Sequence, residues 1–527
     1  YLKLVWRQLQ CGKTRLWQRV QAIGAVFAVS KSHGRQREVW DGSTISAMAA
    51  KPPAPECLAN PSCFVDLMFN PGHEVYMSKR DVHTCFDVLQ APVAIQQWFG
   101  RPPVTLHELA QTASVAVDDL QHFVQDSDGK PVGAHEQVFP ASTVWPMGFS
   151  FSSCVAQAAT LSCCREAGIS EESFMSLDRP PPALGEACGV ATDDTFFFHT
   201  DKLLGQQRLE RLDAVMAEKG MPKNVSKDVT LEQEMKALGC LISAKTATVE
   251  PASEKLVPLF LAWLDVLTKG VASPRGVHRA LGVHQWFCLL QRPLFSVFDQ
   301  IYQFIRTEPA EVQVVMPESI RTEIAVGAFL MPLLGADLSR QFLPKLTASD
   351  AAPEFGFGVS YMSCSAAQAT VVGFLAERRG DFIKFYLEPG EQEGKDRLGT
   401  PHTLPFSKKC FKVAVKARAQ WKAHSGSLEA HGLLLALKWL LRSHKHFHHR
   451  LVVLVDAKAI LGAASKGRTS APGIRGVVRH IGSLLLATNS LLRLVYVPTE
   501  HNPADAPSRG KQVCGRHRIR KQISKRC

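Results

Sequence analysis

The sequence predicts two mixed domains in succession, an α+β domain followed by an α/β domain. Its 527 residues exceed what one hydrophobic core usually supports, so several domains are expected. The first 40 residues predict an amphipathic segment and then strand, turn and strand, whereas residues 346–510 alternate strand and helix patterns. A content of 46% hydrophobic and 21% charged residues is typical of a globular protein.

Taken in order, the elements support this division. LKLVWRQLQ is amphipathic, and VFAVSKSHGRQREVWDG predicts two strands around a glycine turn. Residues 203–219 place Leu, Val and Met at helical spacing, which predicts an amphipathic helix. Residues 253–306 are predicted to be helical and aromatic-rich, and a connector follows to about residue 343.

The chain is basic, with 61 Lys and Arg against 48 Asp and Glu and a net charge of +13. A positive field suits a polyanionic substrate, although a surface charge that serves only solubility is the alternative. Residues 511–527 carry seven basic residues and no acid. They predict a solvated tail, with a nucleic-acid contact or a nuclear address as the alternative.

Cysteine usage and hydropathy bear on the compartment. The 14 cysteines are scattered and form no C-x-x-C pair, which argues against a disulfide framework or a zinc ribbon. A reducing, intracellular compartment is expected, either cytoplasm or nucleus. The longest apolar run, near Ala325–Ala336, is too short to cross a bilayer, so no membrane partner is expected. Because residue 1 is Tyr, we expect a fragment or a processed product.

A first set of acids lies in the amino-terminal half. GVATDDTFFFH predicts a β-hairpin with Asp193 and Asp194 at its turn, and Asp81 ends the segment EVYMSKRD. Carboxylates that meet at a sheet end can hold two divalent cations about 3.5–4 Å apart. Taken singly, an Asp-Asp pair is more often an exposed turn.

A second set follows downstream. Asp350 is predicted at the start of a Gly-rich apolar strand, and Glu429 near the start of a helix. Asp456 ends the buried-type strand LVVLVD, and Asp505 follows the strand RLVYV at a predicted helix start. Four carboxylates from such elements can hold two metal ions. For Glu429 alone, a favourable charge near a helix start is the alternative.

The order of these motifs resembles a retroelement reverse transcriptase joined to a ribonuclease H. The resemblance to the reverse transcriptase covers about residues 20–300. It is carried by an F-x-V-x-K and R-x-x-D strand pair, an Asp with an aromatic five residues later, a Pro-x-Gly element, an Asp-Asp turn, and a later Gly and Lys. The matching residues are Phe27, Val29, Lys31, Arg37, Asp41, Asp81, Phe86, Pro146, Met147, Gly148, Ser152, Gln157, Asp193, Asp194, Gly220 and Lys227.

The resemblance implies roles for these residues. Asp81 and Asp193 would bind both metal ions, and Asp194 would contribute more weakly or indirectly. Phe86 would lie under the sugar and exclude a ribose 2′-hydroxyl, with plain core packing as the alternative. Lys31 and Arg37 would hold the incoming triphosphate, with a solvated hairpin as the alternative. The remaining predicted substrate-binding residues are Met147, Gly148, Gln157 and Lys227.

The second set is similar to the acidic tetrad of ribonucleases H, in the order Asp, Glu, Asp, Asp. The string H-N-P-A-D-x-P-S-R is the most specific local match, and His501 would be a mobile histidine that assists product release or proton transfer. The resemblance implies two Mg²⁺ ions per centre, with Mn²⁺ as a substitute, since all-oxygen sites prefer hard cations. It also implies an RNA template, a DNA primer, RNA–DNA hybrids and dNTPs as partners.

On this resemblance the α+β domain is a polymerase with fingers, palm and thumb, followed by an α/β ribonuclease H-like domain. Fingers and palm would occupy residues 1–245, the thumb 246–306, a connection 307–343, the ribonuclease H-like domain 344–510 and the basic tail 511–527. The ending favours a retrotransposon of gypsy type or of the tyrosine-recombinase (DIRS-like) type.

Two alternatives stay open. The first is a decayed or domesticated copy that binds nucleic acid without catalysis, and Ala191 and Gly42 favour it because they depart from the family pattern. The second, less favoured, is a DNA-templated polymerase with a proofreading nuclease. The nuclease-like part lies on the carboxyl side, and no exonuclease-like acid pattern precedes the first acidic set.

Overall fold

The structure is a computed structural model. It describes residues 1–511 except 31–33, 35, 71, 73, 127–129, 178, 183–184, 377–380 and 387–398. Lys31, predicted to bind the triphosphate, and all of the basic tail except Lys511 therefore lie outside the described residues. In the part that is described, no helix is both long enough and apolar enough to span a membrane.

The described residues form helices and strands that we number in chain order. The helices are α1 Leu2–Gln10, α2 Ser43–Met48, α3 Pro61–Phe64, α4 Cys85–Val88, α5 Val93–Gln96, α6 Leu106–Ala113, α7 Ser152–Glu166, α8 Lys202–Glu218, α9 Ser253–Lys269, α10 Pro274–Cys288, α11 Gln300–Thr307, α12 Glu318–Phe329, α13 Ala366–Gly373, α14 Ser425–Leu440, α15 Lys458–Lys466, α16 Pro472–Ala487 and α17 Asp505–Ser508. The strands are β1 Thr14–Trp17, β2 Val26–Ser30, β3 Gln36–Trp40, β4 Tyr76–Asp81, β5 Val104–Thr105, β6 Gln137–Ser142, β7 Glu186–Ala191, β8 Asp194–His199, β9 Val229–Glu232, β10 Glu234–Ala237, β11 Cys240–Ser243, β12 Thr248–Pro251, β13 Val271–Ala272, β14 Val314–Val315, β15 Ala336–Asp337, β16 Gln341–Ala352, β17 Gly356–Ser363, β18 Asp381–Phe385, β19 Thr400–Leu404, β20 Lys412–Arg418, β21 His449–Val455 and β22 Leu491–Tyr496.

The chain divides into two compact units. Unit 1 comprises Tyr1–Ala59, Tyr76–Met175 and Pro182–Glu232, and unit 2 comprises Asn60–Val75, Ser176–Pro181 and Gln233–Cys527. The chain thus leaves unit 1 at residue 59 and re-enters it at residue 76, where β4 begins. The boundaries predicted for thumb and connection stay predictions.

Unit 1 is built around a four-stranded antiparallel sheet in the order β7-β8-β4-β9. Helices α7 and α8 cover it with an apolar layer that includes Leu161, Phe197, Leu209 and Leu212. The helix predicted at 203–219 is observed as α8, and the predicted strand pair is the hairpin β2–β3. A separate three-stranded sheet, β1-β6-β5, packs with α1 and α6.

The Pro-Met-Gly element is fixed against β3 through its backbone. The Trp40 N–H donates to the Met147 carbonyl at 3.1 Å. Gly148 has φ +115°, and a Cβ there would lie 1.9 Å from the Trp40 carbonyl oxygen. Only glycine fits this backbone approach.

Gly148→Ala is therefore expected to destabilise unit 1 by about 2–3 kcal/mol, because the added methyl forces β3 away and adopts a strained φ. The urea midpoint of unfolding measures this. Gly476→Ala in α16, where nothing lies within 4 Å of an added Cβ, is the matched control and is expected to be neutral or slightly stabilising. Equal midpoints for the two variants would contradict the expectation.

Unit 2 contains a small antiparallel sheet in the order β10-β11-β12-β15 and the helices α9 to α12. Residues 253–306 are mainly helical, as predicted. Trp263 and His284 are buried between α9 and α10, where the Trp263 indole N–H donates to His284 Nδ1 at 3.1 Å. Burial lowers the pKa of His284 to about 4, so this imidazole serves as a neutral core acceptor.

The larger sheet of unit 2 has the order β20-β17-β16-β21-β22. Strands β16, β21 and β22 are parallel, while β17 and β20 are antiparallel additions. Along β21, Val452 and Leu454 pack into one apolar cluster with α13, β18 and β19, whereas Leu451 and Val453 pack into another with α14 to α16. Because side chains alternate along a strand, both faces of the sheet are covered, which explains the unbroken LVVLV run.

Most predicted elements of this sheet are observed, but the position of Asp350 was wrong. It lies near the carboxyl end of β16, and the Gly-rich strand β17 begins six residues later. The apolar signal of β16 is interrupted by Thr347 and Ser349, both of them buried, so the sequence hides the strand.

Candidate catalytic centres

The first acidic set converges at one end of the sheet of unit 1. Asp81 is the last residue of β4 and pairs in register with Asp194, the first residue of β8. Thr192 and Asp193 form the two-residue turn between β7 and β8, with φ +62° at Thr192. Two acids directly opposite each other across antiparallel strands repel, so this pairing costs stability unless a cation lies between them.

Asp81 is the most strongly bound of the three acids. Lys227 Nζ lies 3.0 and 3.1 Å from its two carboxylate oxygens, and Asn224 Nδ2 donates to it at 3.0 Å. Burial alone would raise the pKa of Asp81, but the hydrogen bonds from Lys227 and Asn224 outweigh burial and lower it. Asp81 is thus held as a carboxylate.

The pKa values of Asp193 and Asp194 are raised, whereas that of Asp81 is lowered. Burial, with the charge of Asp81, raises the pKa of Asp193. Burial also raises the pKa of Asp194 to about 6, although Lys79 Nζ lies 3.0 Å from its carboxylate. Arg37 on β3 is near enough for its charge to lower the pKa of Asp193, and its contact with a triphosphate stays a prediction.

Gln157, predicted to bind substrate, braces the acidic turn instead. Its side chain is 1% exposed, and its amide oxygen accepts from the Thr192 N–H at 2.7 Å. Its Nε2 donates to the carbonyl oxygens of Glu56 and Val190 at 3.0 and 3.3 Å. Main-chain groups thus bind both ends of the Gln157 amide, and its contact with substrate stays a prediction.

Phe86 lies in the short helix α4, just beyond Asp81, and is half-buried against the core of unit 1. This position fits both predicted alternatives, a wall beside the acids and a core side chain. Met147 and Gly148 are bound to β3 through their backbone, and their contact with substrate stays a prediction.

The second acidic set meets at the carboxyl ends of the parallel strands β16 and β21. Ala348 and Leu454 are paired in register, and Asp350 and Asp456 each follow two residues later. Glu429 projects from the first turns of α14. One carboxylate oxygen from each of Asp350, Glu429 and Asp456 lies within 4.8 Å of the other two.

Burial and mutual repulsion raise the pKa values of two of these three acids. Burial, then the charge of Asp456, raises the pKa of Asp350 to about 7. Burial, then Asp350 and Asp456, raises the pKa of Glu429 to about 8. Asp456 Oδ1 is buried and has no hydrogen-bond partner among the described residues. Three acids with an orphaned oxygen fit a divalent cation, whose charge would offset both the repulsion and the lost hydration.

Asp505 lies beside this group rather than within it. Its charge reaches Asp350, but its Oδ1 accepts from Arg509 Nε at 2.8 Å. The Ser508 hydroxyl donates to Asp350 Oδ2. The structure therefore brings three of the four predicted acids together, with the fourth paired to a neighbouring guanidinium.

The role of His501 as a mobile histidine stays a prediction, and in the structure its side chain is buried. The imidazole is 3% exposed, and its Nδ1 accepts from the Phe385 N–H of β18 at 3.4 Å. The strands β18 and β19 belong to an insertion between β17 and β20, which buries this histidine.

Four residues at the two centres escaped prediction. Lys79 precedes Asp81 by two residues on the same face of β4, and Asn224 precedes Lys227 by three in a 3₁₀ turn, where residues three apart eclipse. Ser508 and Arg509 follow Asp505 at the helical spacings of three and four. These spacings were readable beside known acids, although many solvent-exposed pairs share them.

The raised pKa values predict how stability depends on pH without divalent ions. Unfolded Asp and Glu have pKa values near 3.9 and 4.3. The folded values are about 7 for Asp350 and about 8 for Glu429, so the folded state binds more protons and its stability falls as pH rises from about 4 to 8.

Glu429→Gln tests this expectation. With EDTA present, the variant's melting temperature relative to the unsubstituted chain is expected to rise between pH 5 and pH 8. Adding Mg²⁺ at pH 8 should stabilise the unsubstituted chain more than the variant. A difference in melting temperature that stays constant across this pH range would contradict the raised pKa of Glu429.

Comparisons with known proteins gave matches to solved structures alone. No protein-family model matches the sequence, and no curated protein does. A foamy viral protease–reverse transcriptase dRH in complex with double-stranded DNA has a TM-score of 0.44 and 14% identity, covering 92% of this chain and 67% of that one. The foamy viral protease–reverse transcriptase with double-stranded DNA has a TM-score of 0.43 and 14% identity, covering 94% of this chain and 81% of that one. Its complex with an RNA/DNA hybrid has a TM-score of 0.42 and 11% identity, covering 92% of this chain and 72% of that one. These TM-scores and identities are low, so the functional argument depends on the two clusters of acidic side chains.

Proposed function

We propose that this chain is an RNA-directed DNA polymerase that also cleaves the RNA strand of RNA–DNA hybrids, and that it derives from a retrotransposon. One observation carries the proposal. Each unit brings buried or half-buried acids to one sheet end, Asp81 with Asp193 and Asp194 in unit 1, and Asp350 with Glu429 and Asp456 in unit 2. Such groups cost stability, so they persist where cation-dependent chemistry needs them.

At the first centre, Asp81 and Asp193 would hold two Mg²⁺ ions. When bound, these cations would supply positive charge to the attacking 3′ hydroxyl and the leaving pyrophosphate. Lys227 holds Asp81 as a carboxylate and is half-exposed, so its ammonium can turn towards a phosphate. Arg37, on the exposed hairpin near Asp193, would grip the triphosphate.

At the second centre, Asp350, Glu429 and Asp456 would hold Mg²⁺ between them. Of two ions bound there, one would activate water and the other would stabilise the leaving 3′ oxygen. The buried Asp456 Oδ1, which has no hydrogen-bond partner among the described residues, and the neighbouring Glu429 carboxylate would provide ligand oxygens. Mn²⁺ is proposed to substitute at both centres.

The proposed partners are an RNA template, a DNA primer, RNA–DNA hybrids and dNTPs. The net charge of +13 is consistent with a polyanionic partner. The proposed place of action is the interior of the cell, in cytoplasm or nucleus.

A primer-extension assay tests the proposal. Purified, folded protein is given Mg²⁺, dNTPs and a DNA primer on an RNA template, with a DNA template of the same sequence in parallel. RNA-templated incorporation is expected, together with cleavage of labelled RNA in a preformed hybrid. Absence of incorporation on the RNA template would retire the polymerase claim, and extension on DNA alone would favour the DNA-templated alternative.

A non-catalytic nucleic-acid-binding copy is the second candidate. One observation favours it. Lys227 and Lys79 each lie 3.0 Å from a carboxylate of the first centre, so part of its negative charge is balanced without metal. Such a protein would bind hybrid with equal affinity in EDTA and in Mg²⁺, and it would neither extend primers nor cut RNA.

A further inference from the structure

Residues 502–509, here called the 502–509 segment, dock onto the larger sheet of unit 2 through buried hydrogen bonds. Asn502 Nδ2 donates to the Ser349 carbonyl at 3.1 Å, one residue before Asp350. The Ser360 hydroxyl donates to the Pro503 carbonyl at 3.0 Å. These bonds join the segment to both β16 and β17.

The segment also packs directly on the backbone of β17. A Cβ at Gly358 would lie 2.4 Å from the Ala504 carbonyl oxygen and 2.6 Å from the Ser508 nitrogen, so the close approach requires glycine there. Gly358 pairs in register with Asp350 on β16. The start of α17 is thereby placed over the strand position beside Asp350.

At this place the Ser508 hydroxyl meets two acceptors. It donates to Asp350 Oδ2 and lies 2.7 Å from the Asp505 carbonyl oxygen. A hydroxyl has one proton to give, and a bond to a carboxylate is the stronger choice. Ser508 is completely buried and Asp350 is nearly so, which leaves no water to replace this donor readily.

We propose that Ser508 is a positioning residue of the second centre, which holds Asp350 by Oδ2 and thereby keeps this carboxylate beside those of Glu429 and Asp456. The proposal rests on the proposed function only in naming that centre's metal chemistry. Glu429 and Asp456 both repel Asp350, and without a bound cation the Asp350 side chain would turn away from them. The hydrogen bond from Ser508 opposes that rotation. It also joins Asp350 to α17, the helix that carries Asp505.

The test measures how the rate of hybrid cleavage depends on the Mg²⁺ concentration. Ser508→Ala is expected to raise the Mg²⁺ concentration for half-maximal hybrid cleavage roughly tenfold, as loss of an outer hydrogen bond to a metal ligand typically does. Saturating Mg²⁺ should recover most of the maximal rate. Ser508→Thr, which keeps the hydroxyl, should return the midpoint towards that of the unsubstituted chain.

Ser360→Ala is the matched control, because it removes a buried serine bond to the same segment without touching an acid. It is expected to lower the melting temperature about as much as Ser508→Ala, while the Mg²⁺ midpoint stays unchanged. An unchanged midpoint in Ser508→Ala, or an equal rise in Ser360→Ala, would overturn the proposal.

A second readout separates this proposal from the proposed function. Mn²⁺ binding is followed by electron paramagnetic resonance in full-length protein carrying Asp81→Asn and Asp193→Asn, so that the first centre contributes little. Ser508→Ala in this background is expected to weaken binding roughly tenfold. If the chain cuts no hybrid yet shows this loss, the nuclease claim fails and the positioning role stands. Unaltered Mn²⁺ binding would refute the positioning role whatever the activity.

Discussion

Asp81→Asn is expected to abolish primer extension while leaving hybrid cleavage in place. The amide keeps the shape of the side chain but removes the charge that would hold cations against the substrate's phosphates. Losing several kcal/mol of transition-state stabilisation corresponds to a fall in extension rate of roughly 10³-fold. Single-turnover extension on an RNA template measures the effect.

The size of this effect follows from how Asp81 is held. Lys227 and Asn224 fix its carboxylate at the end of β4, opposite Asp194, and keep it ionised. An asparagine can satisfy both donors, so the fold should tolerate the change. The circular dichroism spectrum and the melting temperature of the variant check that it is folded.

Asp213→Asn is the matched control in the same unit. Asp213 is ion-paired with Arg80 and Lys223 at 2.9 and 2.6 Å, so the change removes a carboxylate from a structural network. It is expected to lower stability and to alter the extension rate less than threefold or so at a temperature where the protein stays folded. A comparable loss of extension in both variants would argue that Asp81 acts through folding alone.

The sequence predicted those parts of the centres that depend on strand ends. Asp193 and Asp194 lie between two apolar runs, and this pattern predicts a β-hairpin with the acids at its turn. Asp456 follows LVVLV, a run apolar enough to be buried on both faces, so its position at a carboxyl strand end was readable. Glu429 near the start of α14 followed from helical periodicity.

What escaped prediction depends on contacts between distant parts of the chain. Arg450 ends the histidine-rich stretch HKHFHHR, yet it is completely buried and donates to the carbonyl oxygens of Arg340 and Val65 at 2.9 and 3.0 Å. Gln157 appears from its spacing to be a substrate ligand, yet it is taken by a turn 35 residues later. Local pattern carries no information about such partners.

The same reason explains the mixed outcome at the second centre. Three acids meet because β16 and β21 are parallel neighbours, a pairing across about a hundred residues that α/β alternation indicates. The burial of His501 depends on the insertion that contains β18, and no periodic pattern announces which face an insertion will cover. The positions of Asp193, Asp194 and Asp456 at strand ends were therefore readable, whereas the surroundings of His501 were not.

Asp456→Asn is expected to reduce hybrid cleavage roughly 10³-fold and, in EDTA, to stabilise the protein. Asp456 raises the pKa values of both Asp350 and Glu429, and its own Oδ1 is buried without a partner among the described residues. Replacing the charge with an amide relieves repulsion at pH 8, so the melting temperature should rise while activity is lost. A substitution that raises stability while it removes activity is typical of catalytic sites.

The opposite signs of these two effects make the experiment decisive. Primer extension should be unchanged, and Mg²⁺ should no longer raise the melting temperature as it does in the unsubstituted chain. Asp381→Asn, which removes a carboxylate of β18 paired with His402 at 3.1 Å, is the matched control and should leave cleavage intact. If Asp456→Asn lowered extension and cleavage equally, the two centres would not be independent. If it destabilised the metal-free protein, the repulsion that defines the second centre would be absent.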